Sequence, residues 1–219
     1  MLIVGLTGGI GSGKSTLGAL LAERGARIVD ADAIGRAALR PEEPAWRSVV
    51  REFGDGILDP DSKEIDRSRL AAIVFSERDK LAALNEIVHP VILSGVADAL
   101  ETLRPTDRVV VVDAALIVDL GLEDEVEVLI VVTADEGSRS ERVMRARGMS
   151  YHEVRQRITA QAAPEELLAK ADIVVPNDGS VDELASEADR VWAVLEDAHR
   201  AQRKQRGQRR GETQPSEDA

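Results

Sequence analysis

The segment Gly5-Leu-Thr-Gly-Gly-Ile-Gly-Ser-Gly-Lys-Ser-Thr16 follows the apolar run Leu2-Ile3-Val4 and precedes a helical pattern over 17–24. Gly8, Gly13, Lys14 and Ser15 satisfy the spacing G-x-x-x-x-G-K-[ST] between a strand and a helix, the setting that a phosphate-binding loop requires. Glycines let the backbone curl so that successive N–H groups face inward as an anion nest, and the helix N-terminus adds the positive end of its dipole. A Cβ at Gly11 or Gly13 is expected to obstruct the approach of backbone to phosphate oxygens. Lys14 supplies a point charge for terminal phosphates, and Ser15 a hydroxyl ligand for Mg²⁺. An ordinary glycine-rich turn accounts for the glycines but not for Lys14-Ser15-Thr16.

Four further β-branched runs follow: 27–30, 108–113, 128–133 and 172–175. The interior ones are nearly continuously apolar, as strands buried on both faces are. Helical patterns between them predict an α/β fold of the P-loop NTPase type, a five-stranded parallel sheet flanked by helices. The interval 33–105 has no good strand, but helix-like segments start at Pro44, Asp66 and Pro90. It reads as a helical insertion, and His89-Pro90 as the end of one helix and the start of another. The expected organisation is one domain over 1–199. Its core comprises 1–32 and 106–199, with the insertion at about 33–105.

Zero cysteines exclude a disulfide framework and any thiolate metal site. No run reaches the eighteen or so apolar residues of a membrane span, and no charged-then-apolar leader opens the sequence. A cytoplasmic protein with no membrane partner is the expectation. The formal net charge is −12, which argues against a nucleic-acid partner. Residues 200–219 carry a net +3, leaving −15 on the rest, so cations for a polyanion must be local: Lys14, Arg36, and the group Arg139, Arg142, Arg145 and Arg147. From about Ala201 the chain lacks apolar periodicity and is expected to be disordered.

Val29-Asp-Ala-Asp-Ala-Ile-Gly-Arg36 sits just past the second strand, where ligands gather in doubly wound sheets. A kinase acting on a hydroxyl needs a carboxylate to accept its proton. Asp32 is the first choice and Asp30 the second, with helix capping the competing role. Val109-Val-Val-Val-Asp113 has the form of a strand ending in a Mg²⁺-binding acid. The arginines at 139–147 suit transferring phosphates, or, with Asp135, Glu136, Glu141 and Glu153 among them, a salt-bridged exposed face. Asp32-Ala-Ile-Gly35 imitates a GTPase switch motif, but lies too close to the loop to leave room for the switch region and strand that would precede it.

On these segments the chain resembles the dephospho-coenzyme A kinase family. The matching pieces include the loop, Val29–Arg36, Phe53-Gly with Ile65-Asp-Arg and Leu70–Phe75, Leu84-Asn-Glu-Ile-Val-His-Pro90, Arg157–Gln161 and Ala171–Asn177. They occur in the family's order and cover about 2–192. The resemblance implies ATP as phosphoryl donor, Mg²⁺, and transfer to the ribose 3′-hydroxyl of dephospho-CoA, giving CoA and ADP. It implies Asp32 as base, with Lys14 and Arg142 in the catalytic set, and a short lid at about 139–160 that contains Arg142. Gly11, Ser12, Gly13, Lys14, Ser15, Thr16 and Asn177 fall around ATP, and Asp32, Arg36, His89 and Asp113 around the acceptor, with Ser15 and Asp113 toward the metal. A monomer is the expected state. Departures from the family's pattern are Ala115 for a proline, Asp119 for a glutamate, Arg139 for a glutamine, and Ala146 where a second lid arginine usually stands. The alternatives are another small-molecule P-loop kinase acting on a nucleoside or nucleotide, and a non-catalytic nucleotide-binding regulator.

Overall fold

In the computed structural model five parallel strands form one sheet in the order β2-β3-β1-β4-β5. Residues 1–148, 150–159 and 164–212 are described, with the side chains of 78, 147, 156, 157, 159, 164, 207 and 209–212 excepted. The strands are β1 (Leu2–Gly8), β2 (Arg27–Asp30), β3 (Val109–Asp113), β4 (Val128–Thr133) and β5 (Ile173–Pro176). Each lies within about two residues of the run that the β-branched pattern marks.

Both faces of the sheet are covered, which is why its strands alternate between two apolar layers rather than between oil and water. Leu2, Val4, Leu6, Val109, Val111, Ile130 and Val132 pack under α1 (Lys14–Glu23) and α9 (Val181–Glu212), with Leu17, Leu21, Leu184, Ala188, Val191 and Leu195. Val110, Val112, Leu129 and Val131 face the other way, onto Ile92 and Val96 of α5 (Arg78–Leu103), Ile117 and Leu167. Each such fully buried branched side chain contributes about 1.5–3 kcal/mol over leaving it in water.

Between β2 and β3 the chain forms α2 (Ala31–Ala38), α3 (Pro44–Phe53), α4 (Arg67–Val74) and α5. Val49, Ile57, Leu70 and Val74 give this insertion a small core of its own. Proline opens α3, and Asp66 caps α4 by accepting from the Ser68 and Arg69 amides. The expected break at His89-Pro90 is absent: Pro90 lies inside the continuous helix α5. An interior proline removes one helical hydrogen bond. Here Val88 packs against both cores and Ile92 and Val96 are buried against the sheet, so tertiary contact on both sides of the proline holds the helix together. The Asp79–Thr106 stretch is the one described helix long and apolar enough to cross a membrane; it packs against α2, α3, α4 and the sheet.

After β4 come α6 (Glu136–Arg147), α7 (Tyr151–Thr159) and α8 (Pro164–Lys170). The segment expected to be disordered from about Ala201 is instead the end of α9, helical to Glu212, with 213–219 outside the described residues. A helix already anchored by Leu184 to Leu195 pays no nucleation cost for each further residue, and Gln, Arg and Lys are good helix formers. Gln202 donates to Glu127 at 2.8 Å and Arg203 pairs with Asp107 at 2.9 Å.

Candidate active site

The carboxyl ends of β1, β2 and β3 converge on one cation. Asp30 stands opposite Asp113 in the β2–β3 register, and Asp113 opposite Leu6 of β1. Gly13, at φ 95°, ends the loop and starts α1, placing Lys14 at the first helical position. A cation there opposes the helix dipole. Two carboxylates offset this: Lys14 Nζ lies 3.1 Å from Asp32 Oδ2 and forms a short hydrogen bond with Asp113 Oδ1. Burial pulls the Lys14 ammonium down, but Asp113 and Asp32 outweigh it and hold its pKa above the ordinary lysine value. Burial pushes Asp113 above the ordinary carboxylate range; Lys14 opposes that shift, and the charges of Asp32 and Asp30 add to it.

Asp30 and Asp32 do not share a role. Asp30 is the N-cap of α2, its Oδ1 accepting from the Ala33 amide at 2.7 Å and its Oδ2 from Arg36 at 3.1 Å. Asp32 sits in the first turn, where a negative charge favours the helix, with Oδ1 accepting from the Ala115 amide at 3.3 Å. Its two oxygens are thus oriented by Lys14 and by the turn after β3.

Gly13 and Gly11 are required by neighbours inside the protein, as well as by their left-handed φ values of 95° and 78°. A Cβ at Gly13 would lie 2.0 Å from Asn177 Nδ2, and one at Gly11 2.5 Å from the Arg139 carbonyl oxygen. Asn177 is 7% exposed and its amide donates to the Ser12 carbonyl at 2.7 Å. Arg139 is buried on α6 and its Nε donates to the Ile10 carbonyl at 2.9 Å. Burial lowers the pKa of its guanidinium, and no carboxylate lies within ion-pair distance among the described residues.

Ser15 and Thr16 are exposed at the start of α1. A magnesium site fits the donor set: the described residues hold no cluster of three or more metal-ligating side chains, but Mg²⁺ is usually held by one or two protein oxygens together with phosphates and water. The Ser15 hydroxyl and Asp113 carboxylate are such oxygens.

Between the loop and the turn after β3 lies a cavity of about 130 Å³, whose walls include Ser12, Ala115, Val118, Asp119, Arg139 and Ile158. The Ser12 hydroxyl is buried without a partner. His89, on α5, has its Nε2 buried and unpartnered; burial lowers its pKa, and Asp119 opposes that shift. Arg142 also has a buried, unpartnered nitrogen, Arg145 is exposed, and the Arg147 side chain lies outside the described residues. The spacing of motifs brings Lys14, Asp30, Asp32, Arg36 and Asp113 together. It does not reveal the Ala115 amide, or the contacts of Asn177 and Arg139 with the loop's carbonyls, which close over separations of 165 and 129 residues.

The family model for dephospho-CoA kinase matches residues 2–183. A dephospho-CoA kinase from Streptomyces avermitilis is 44% identical over 201 residues, covering 92% of this chain and 96% of the relative. One from Thermobifida fusca is 44% identical over 196 residues, covering 90% and 97%. The crystal structure of TT1252 from Thermus thermophilus superposes with a TM-score of 0.74 at 33% identity, covering 89% of this chain and 97% of that one. On sequence, fold and extent alike, the chain belongs to the dephospho-CoA kinase family.

Proposed function

We propose that this protein transfers the γ-phosphoryl group of ATP to the ribose 3′-hydroxyl of dephospho-CoA, giving CoA and ADP. The observation that carries the reading is the Asp32 carboxylate held 3.1 Å from Lys14 Nζ at the mouth of the phosphate loop. The loop amides from Gly11 to Thr16 cradle the phosphates, and Lys14, already between two acids, turns its charge to the terminal one. Asp32 orients the acceptor hydroxyl and takes its proton as the O–P bond forms, and the leaving oxygen departs on ADP in line. Arg142, with a nitrogen lacking a protein partner, neutralises charge spread over the transferring group. Arg36, about half exposed beside Asp30, and His89 of the insertion face the acceptor. Mg²⁺, when bound, supplies charge neutralisation at the β- and γ-oxygens; Ser15 and Asp113 are the residues that would hold it.

Positioning and electrostatics supply most of the acceleration in such a transfer. The test is ADP release with a panel of acceptors. Rapid turnover with dephospho-CoA and none with nucleosides, nucleotides or sugars is expected. Comparable phosphorylation of a nucleoside or nucleotide, or ATP binding without turnover of any acceptor, would overturn the reading.

A further inference from the structure

We infer that Asn177 is a positioning residue that holds the phosphate loop in its anion-binding shape, and that its side chain does not read the nucleotide's base. The inference rests on the proposed use of this loop for a nucleotide polyphosphate. When the loop's N–H groups turn inward its carbonyls must point outward, and each outward carbonyl needs a donor. Asn177 Nδ2 supplies one to Ser12 at 2.7 Å, and neither residue has appreciable access to water, at 7% and 1% exposure. Its backbone amide donates to the Thr133 carbonyl at 2.8 Å, extending the β4–β5 pairing past Pro176. The residue is therefore pinned at its main chain, and its side-chain amide is turned onto the loop, with one N–H held by the Ser12 carbonyl. The space a Cβ at Gly13 would need is filled by the same amide nitrogen, 2.0 Å away.

The next residue extends the brace. Asp178 Oδ1 accepts from the Asp135 amide at 2.7 Å, and Asp135 caps α6, accepting from the Ser138 amide at 2.9 Å. That helix carries Arg139, which holds the second outward carbonyl, that of Ile10. The turn after β5 thus grips the loop directly and, through α6, a second time. A preorganised loop binds a polyphosphate without first paying to order its amides. Losing the Ser12 partner lowers affinity for any phosphate chain by one common factor, whatever base it carries.

The experiment measures dissociation constants for ATP and for inorganic tripolyphosphate on the full chain, for wild type, Asn177→Ala and the isosteric Asn177→Asp. A loss of about tenfold for both ligands, equal within error, is expected from each variant. A loss for ATP with tripolyphosphate unchanged would make Asn177 a reader of the base and overturn the inference, as would no loss for either. Because a poorly folded variant weakens both ligands, the wild-type protein gives an independent reading: the Asn177 side-chain amide resonances respond alike to the two ligands. A response to ATP alone contradicts the inference. A wild type that binds both ligands yet phosphorylates no acceptor sinks the kinase reading and leaves the brace standing, whereas one that binds no tripolyphosphate sinks both.

Discussion

Asp30 and Asp32, two residues apart at the start of one helix, point their carboxylates at different partners: Asp30 at the Ala33 amide, 2.7 Å away, and Asp32 at Lys14 Nζ, 3.1 Å away. One acid ends the strand and caps the helix; the other is presented to the loop. Asp30→Ala should therefore cost stability, about 0.5–2 kcal/mol, while changing turnover only a few-fold. Thermal melts alongside steady-state assays of the same preparation separate the two effects. A collapse of turnover without a change in melting would move the chemistry to Asp30.

Asp107 gathers the Met1 amine at 2.6 Å, His199 at 3.3 Å and Arg203 at 2.9 Å, joining the turn before β3 to α9. The hydrogen bond from the amine, with smaller contributions from His199 and Arg203, lowers its pKa to about 2. A carboxyl with a depressed folded-state pKa binds protons more readily when unfolded, so its stabilisation is present above the ordinary value near 3.8 and is lost as pH falls toward 2. The melting-temperature gap between wild type and Asp107→Asn should be full at pH 5 to 6 and close between pH 4 and 2. A gap independent of pH over that range would remove the ionic explanation.

Arg139 combines a buried charge with one useful hydrogen bond, to Ile10. Burial lowers its pKa, so the fold pays for the charge rather than gaining from it. Arg139→Gln removes the charge and keeps a donor, and should melt at or above the wild-type temperature. Arg139→Ala leaves the Ile10 carbonyl without its partner and should lose about 1–3 kcal/mol. Equal losses in the two variants, read from denaturant titrations, would show that the charge itself matters.

The strands and the loop were legible because their signals are local: β-branched runs buried on both faces, and a motif whose glycines and lysine sit within eight residues. The different partners of Asp30 and Asp32 were not, since both are good caps and the Ala115 amide that Asp32 accepts from lies in the turn after β3, 83 residues away in sequence. Pro90 misleads because a proline is a local stop signal, overridden here by packing of Val88, Ile92 and Val96. The tail misleads in the opposite sense: a polar stretch without periodicity continues a helix whose anchor lies upstream. Sequence explained Gly11 and Gly13 by the ligand, whereas their neighbours Arg139 and Asn177 already demand them.

The account turns on a carboxylate beside the loop lysine accepting a proton from an alcohol, and Asp32→Asn examines that step directly. With the wild type as reference, ATP affinity is measured by titration and turnover of dephospho-CoA by ADP release. The amide keeps the shape and loses the base, so ATP binding should hold within a few-fold while turnover falls by about 10²–10⁴. Turnover close to wild type with nucleotide still bound would show that Asp32 only supports the fold, and would contradict the mechanism.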